Sequence, residues 1–316
     1  MYLDSGFGTF FVNHVVAGYQ FLLRYYKPND KIYIFGFSRG AYTARFLTEM
    51  IDKIGLLSMG NEEMISFAWQ KFSDYQRSGG ADDKTTFMED FKSSFCRTGV
   101  KVHFLGLFDC VNSVLAFSSK LPMPHHNQKL PAKYVRHAVS IHDRRGTFQP
   151  VLFDPLPDPD PKSPAEVDPK TIDSLRRKFL IELWFSGNHG DVGGGWTSYI
   201  NNGKHYLLSD IPLAWMIEQV KDIDREEANH LHWNKDMSAR SHRSGNWEAV
   251  RKHAQSQIDS WNLEIHLSDE ERIQKAIAIR GGVHDILQWK TAGPGTFGSK
   301  LFWHCLWWIT GEPMQT

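Results

Sequence analysis

The sequence predicts an α/β fold in which a mostly parallel sheet is flanked by helices, and three observations carry that prediction. Four short runs rich in β-branched and aromatic residues recur along the chain: "KIYIFGF", "VKVHFLGLFD", "KYVRHAVSIHD" and "KFLIELWFSG". Longer segments with apolar residues at helical spacing lie among them. The first run passes without a break into Gly-Phe-Ser-Arg-Gly and then into a helical pattern, the junction of a strand–turn–helix unit. Buried strands that alternate with helices make a parallel sheet, because parallel neighbours need a long crossover connection.

In chain order, residues 9–26 ("TFFVNHVVAGYQFLLRYY") read as a helix that stops at Lys27-Pro28-Asn29-Asp30, where proline cannot continue it. Ile32, Tyr33, Ile34 and Phe35 read as a buried, central parallel strand, and residues 41–50 ("AYTARFLTEM") as the helix after it. A helical insertion at about 60–95 follows, two amphipathic helices around the polar linker 78–83. Residues 100–109 form the second strand and 133–143 the third, each ending at an acid. A proline-rich, acidic loop at about 154–170 precedes the fourth strand, in 178–191, which ends at a histidine. Residues 207–223 and 245–275 are helical in pattern, and no internal repeat is evident. The whole chain, 1–316, reads as a single domain with ample length for a core.

Composition excludes some functions. Lys plus Arg and Asp plus Glu both number 36, so the net charge is zero, and no basic stripe offers itself to phosphates. Nucleic acid is therefore not an expected partner. The cysteines, Cys96, Cys110 and Cys305, are odd in number and far apart, which suits a reducing, cytoplasmic setting without a disulfide framework. The N-terminal segment lacks the organisation of a signal peptide. The apolar run "LFWHCLWWITG" is about half the length that spans a bilayer. It reads as a core-packed final helix, with peripheral membrane contact as the second reading.

Gly36, Ser38 and Gly40 stand in the spacing G-x-S-x-G. In a nucleophile elbow a serine on a tight strand-to-helix turn is held clear of the sheet. Its glycine neighbours keep Cβ atoms out of the incoming strand and the outgoing helix. The other reading is a tight turn whose serine merely caps the helix. The remaining members of a hydrolase triad follow in the chain order serine, acid, histidine. His189, at the end of the fourth strand, is the candidate base. Asp109 and Asp143 both end strands and are candidates for the acid, with Asp109 ranked first. Asp191, two residues from His189, is better placed to brace the loop.

The run Gly193-Gly194-Gly195 has a second reading as a phosphate cradle, but it lacks the lysine and spacing of a P-loop. His125-His126 and the pair His230 and His232 lie in polar segments without metal-ligand spacing. No cofactor and no metal are expected.

"GFSRGAYTAR", "FLGLFDCVNSV" and "LWFSGNHGDVGGGW" together resemble the motifs of the α/β-hydrolase family known as domain-of-unknown-function family 2235, which includes type VI secretion phospholipase effectors. "RHAVSIHDRRGTFQPVLF" and "LSDIPLAWM" resemble further blocks of it. The resemblance spans nearly the whole chain. It implies an α/β-hydrolase-like fold with Ser38 as nucleophile, His189 and Asp109 completing the triad, and lipid esters as substrates. Two departures stand out. The family's Trp-Asp-Thr-Val-Gly is here Phe108-Asp109-Cys110-Val111-Asn112. Its opening strand and Asp-Gly-Thr motif are absent from the 37 residues before Ser38, which hold one helix, with "YLDSGFGT" as the turn into it.

The expected function is therefore a serine ester hydrolase acting on a carboxylic ester or phospholipid through an acyl-enzyme. The alternative is a hydrolase-fold fragment, catalytically silent, that serves as a binding module. N-terminal truncation would remove a second oxyanion donor and weaken activity by about 100-fold or more. It would also bare the edge of the first strand, which then needs a cover: self-association with a second copy, a partner chain or a rearranged segment.

Overall fold

Helix α1, Leu3–Tyr25, starts well ahead of the expected residue 9, so the segment read as a turn is helical. Its apolar stripe Phe11, Val15, Tyr19 and Leu23 repeats every four residues and is almost fully buried. Burial of each side chain contributes about 1.5–3 kcal/mol. Phe11 meets Phe46 edge to face at 5.0 Å. The Tyr19 hydroxyl, also buried, donates to the Gly55 carbonyl at 2.8 Å and accepts the Leu57 N–H at 2.9 Å. The helix ends as the sequence dictates. Lys27 and Asp30 close a turn through Asp30 N–H to the Lys27 carbonyl at 3.0 Å and Lys27 N–H to Asp30 Oδ2 at 2.8 Å. The Arg97 guanidinium donates to the carbonyls of Leu23 and Tyr26, which lack helical partners at this terminus.

The computed structural model describes residues 3–78, 82–111, 130–143, 145, 148–153, 178–195, 208–227 and 231. After α1 come β1 (Ile32–Phe37), α2 (Arg39–Ile54), a 3₁₀ turn (Glu62–Met64), α3 (Ile65–Arg77) and α4 (Asp82–Phe95). Then follow β2 (Val102–Phe108), β3 (Ala132–Ser140), β4 (Leu180–Phe185), the short α5 (His189–Gly193) and α6 (Asp210–Glu226). The proline-rich loop, the helix expected at 245–275, Cys305 and the C-terminal aromatic run lie outside the described residues. Among the described residues no helix is long and apolar enough to cross a membrane.

The four strands form one parallel sheet in the order β1-β2-β3-β4, flanked by helices, which is an α/β-hydrolase-like arrangement. β1 pairs with β2 in a register that sets Tyr33 opposite Phe104 and Phe37 opposite Phe108. Among the described residues β1 ends the strand order, the bare-edged place expected of it, but it is not the buried strand its apolar run predicts: only Ile32 of its side chains is buried. Phe35 is 50% exposed, whereas β2 is buried along nearly all its length. An apolar run reads alike whether one face or two are covered.

The described residues fall into two compact units, one within Met1–His137 and Pro150–Glu182, the other within Ala138–Gln149 and Leu183–Thr316. The first is built on α1, α2 and the neighbouring strands, with Phe46, Phe72, Leu105 and Leu107 in its core. In the second, α6 turns Ile211, Ala214, Trp215, Met216, Val220 and Ile223 inward. Trp215 packs edge-on against Phe185 at 5.4 Å.

Candidate active site

The turn after β1 is the first element of the site. A Cβ on Gly36 would lie 2.4 Å from the Gly40 carbonyl oxygen and 2.6 Å from the Ala41 Cα, so strand and helix can approach this closely only at glycine. The second glycine is different: a Cβ at Gly40 meets nothing within 4 Å. The expectation that both glycines answer a steric demand therefore holds for Gly36 alone, because Gly40 lies on the exposed side of the first turn of α2.

Ser38 sits between them at φ 60° and ψ −128°. This is backbone strain of about 1–3 kcal/mol for a residue with a Cβ. Its N–H donates to the Phe108 carbonyl at 3.0 Å, and its carbonyl accepts the N–H groups of Ala41 at 3.0 Å and Tyr42 at 3.2 Å. The backbone of Ser38 thus opens α2, while its side chain makes no capping hydrogen bond. A capping serine uses an extended backbone to aim its oxygen at the helix N–H groups, and this one does not.

Asp109 leaves β2 at the same level as Ser38 leaves β1, because Phe37 and Phe108 are paired. It is fully buried and has φ 43°. Among the described residues Asn29, Ser38 and Asp109 are the non-glycine residues with positive φ. Asn29 belongs to an exposed turn, where asparagine tolerates this conformation. The other two flank the C-terminal ends of adjacent strands. Ser38 and Asp109 are thus brought together within the first unit.

Arg45 of α2 is buried and reaches the 151–153 segment, whose Val151 N–H donates to the Cys110 carbonyl. It donates to the carbonyls of Val151 at 3.3 Å and Leu152 at 3.1 Å, and its guanidinium lies 4.0 Å from the centre of the Phe153 ring. Its Nε pairs with Glu49 at 3.2 Å, and Glu49 also accepts from Gln76 at 3.0 Å. Burial raises the Glu49 carboxyl above its ordinary range, against the opposing pull of Arg45. Burial also pushes the Cys110 thiol up to about 12.

His189, in the second unit, opens α5 on a loop whose geometry is tightly specified. Asn188 Oδ1 accepts the Gly190 N–H at 3.0 Å and the Asp191 N–H at 3.3 Å, and Asp191 Oδ2 accepts the Asn188 N–H at 3.0 Å. This reciprocal pair is a capping box. Asp191 does brace the loop. Asn188 went unrecognised in the sequence, although its spacing to Asp191 in "NHGD" was the available signal.

The His189 ring is 4.8 Å from the Phe148 ring, edge to face, and the residue is buried. Its N–H donates to Asp143 Oδ2 at 3.3 Å. Asp143 Oδ1 receives the Arg145 N–H at 3.0 Å and Nε at 2.9 Å, and Nη2 of Arg145 donates to Oδ2, the oxygen that also holds the His189 N–H. The second candidate acid is therefore neutralised by an arginine fork and tied to the backbone of the candidate base. The glycine run closes α5, with the Gly194 N–H donating to the Gly190 carbonyl at 3.0 Å and φ 89° at Gly194. That is a helix terminus, and one amide of the imagined phosphate cradle is already engaged.

A parallel sheet flanked by helices makes the fold α/β-hydrolase-like. More specifically, the chain belongs to the family described as "T6SS, Phospholipase effector Tle1-like, catalytic domain", whose model matches residues 1–219. That family consists of phospholipase catalytic domains, a lipase-like class of hydrolase. The chain is also 43% identical over 159 residues to the uncharacterized protein YEL023C of Saccharomyces cerevisiae. The match covers 49% of this chain and 23% of that protein, so the chain spans about a quarter of its curated relative. No solved structure matches it.

Proposed function

We propose that the protein hydrolyses carboxylic esters of lipids, phospholipids foremost, through an acyl-enzyme formed on Ser38. The observation that carries this reading is the backbone of Ser38: φ 60° and ψ −128°, with no capping bond from the side chain. Strain of this kind persists only where the surroundings enforce it, and a turn that merely started a helix would not need it. Membership of a phospholipase family supports the substrate class.

In this reading Ser38 Oγ attacks the ester carbonyl while His189 takes its proton as general base. The N–H of Arg39 and the N-terminal dipole of α2 stabilise the developing oxyanion. The tetrahedral intermediate collapses, and His189 returns the proton to the leaving alcohol. Water, activated by the same histidine, then frees the fatty acid. Asp109 orients and balances the imidazolium. One observation favours Asp109 over Asp143 for that role: its place beside Ser38 at the end of a paired strand.

The half-exposed Phe35 on the strand at the end of the sheet order favours the second reading, an interaction module without hydrolytic activity. Fatty-acid release from phosphatidylcholine in mixed micelles separates the two. The hydrolase reading expects release by the intact chain and its loss in Ser38→Ala. Absence of release, or equal release by both proteins, contradicts it.

A further inference from the structure

We infer that His137 is a positioning residue for Asp109, holding the acid's turn through a single fixed tautomer. This rests on Asp109 being the triad acid. His137 lies on β3, fully buried. Its Nε2 accepts the Cys110 N–H at 3.0 Å, and its Nδ1 lies 2.8 Å from Glu182 Oε1 on β4. The roles are forced by the partners. An amide N–H can only donate, so Nε2 must carry the lone pair. Nδ1 must then carry the proton and donate it to the carboxylate.

The peptide between Asp109 and Cys110 is the hinge of this arrangement. Its N–H is held by His137, and the Cys110 carbonyl accepts the Val151 N–H at 2.8 Å. Glu182 in turn accepts the Phe153 N–H at 3.2 Å. Arg45 fixes the same 151–153 segment through the Val151 and Leu152 carbonyls. The residue immediately before this clamped peptide is Asp109 at φ 43°, a conformation that reverts unless neighbours oppose it. Without an acceptor at His137, the buried Cys110 N–H has nothing to hold it, the peptide rotates, and the Asp109 carboxylate moves with it. Misplacement of a catalytic group by about 1 Å is enough to lower the rate by up to about 100-fold.

The test compares wild type, His137→Gln and His137→Leu. Glutamine keeps an acceptor for Cys110 and a donor for Glu182; leucine keeps neither. Imidazole ¹⁵N shifts of the wild type are expected to show His137 protonated at Nδ1 and bare at Nε2. His137→Leu is expected to lower kcat on a p-nitrophenyl acyl ester by about 10-fold or more, to leave KM nearly unchanged, and to speed exchange of the Cys110 amide. His137→Gln is expected to restore most of both. Equal loss in the two variants, an unaltered Cys110 amide in the leucine variant, or a proton on Nε2 in the wild type overturns the proposal. If the wild type fails to acylate Ser38, the hydrolase reading itself falls. The ¹⁵N shifts and Cys110 exchange then still decide whether His137 holds this turn, and the shifts need no variant to fold.

Discussion

The Ser38 N–H donates to the Phe108 carbonyl at 3.0 Å, which ties the turn carrying the candidate nucleophile to the residue just before Asp109. The bond continues the β1–β2 ladder one step past the Phe37–Phe108 pair. It lets two strained residues, Ser38 at φ 60° and Asp109 at φ 43°, stand side by side at the ends of adjacent strands. The arrangement is a property of the backbone before it is one of the side chains.

That strain has a measurable consequence. Ser38→Ala and Ser38→Gly both remove the hydroxyl, but only glycine relieves the positive φ. Ser38→Gly is therefore expected to be more stable than Ser38→Ala by about 1–2 kcal/mol, read from urea unfolding midpoints, with both inactive. Equal stability would mean that the turn is not strained.

The two glycines of the motif are expected to part company. Gly36→Ala sets a Cβ against backbone atoms at 2.4 and 2.6 Å and is expected to cost about 3 kcal/mol or more. Gly40→Ala meets nothing within 4 Å and sits in a helix, so it is expected to be neutral or to stabilise by up to about 1 kcal/mol. Thermal melts of the two single variants check this directly.

Much of this was legible in the sequence because it is local. The apolar runs, the proline stop after α1 and the glycine–serine spacing each depend on a few adjacent residues, and the strands and turns formed where those signals stood. What was not legible depends on pairing. β1 reads as buried, yet only Ile32 of its side chains is, and Phe35 is half exposed. His137 acquires its meaning from Cys110, 27 residues away, and Glu182, 45 residues away, with no local signature at either separation. Arg145 capturing Asp143 was hidden too, although the two are neighbours, since a charge pair in sequence need not be one in space.

The acids are ranked by their surroundings. Asp109→Asn is expected to lower kcat by about 10⁴-fold by stabilising the wrong imidazole tautomer. Asp143→Asn is expected to leave a far larger share of activity and to show instead as lost stability around His189, since Arg145 loses its counter-charge. Steady-state kinetics with a parallel melt for each variant would distinguish them. A greater kinetic loss in Asp143→Asn reverses the assignment.

The buried thiols predict a pH dependence. Burial raises Cys96 to about 11 and Cys110 to about 12, from an ordinary value near 9.0. The folded protein therefore keeps these protons while the unfolded chain loses them, so stability is complete below about pH 9 and falls as pH rises through the folded values. Both cysteines are expected to resist iodoacetamide at pH 8 until the protein unfolds. Cys110→Ala is expected to flatten part of the alkaline decline in urea midpoint. Rapid alkylation of Cys110 in the folded protein would contradict its enclosure.

The nucleophile is the centre of the account, and a fluorophosphonate probe tests it without knowledge of the substrate. The folded protein is expected to take up one phosphonyl group, mapped by mass spectrometry to the peptide containing Ser38. The adduct should be absent in Ser38→Ala and in heat-denatured protein, and its formation should slow by about 10³-fold or more in His189→Ala. An adduct that persists in Ser38→Ala, or a folded wild-type protein that takes up no probe at all, would contradict the assignment of Ser38 as an activated nucleophile.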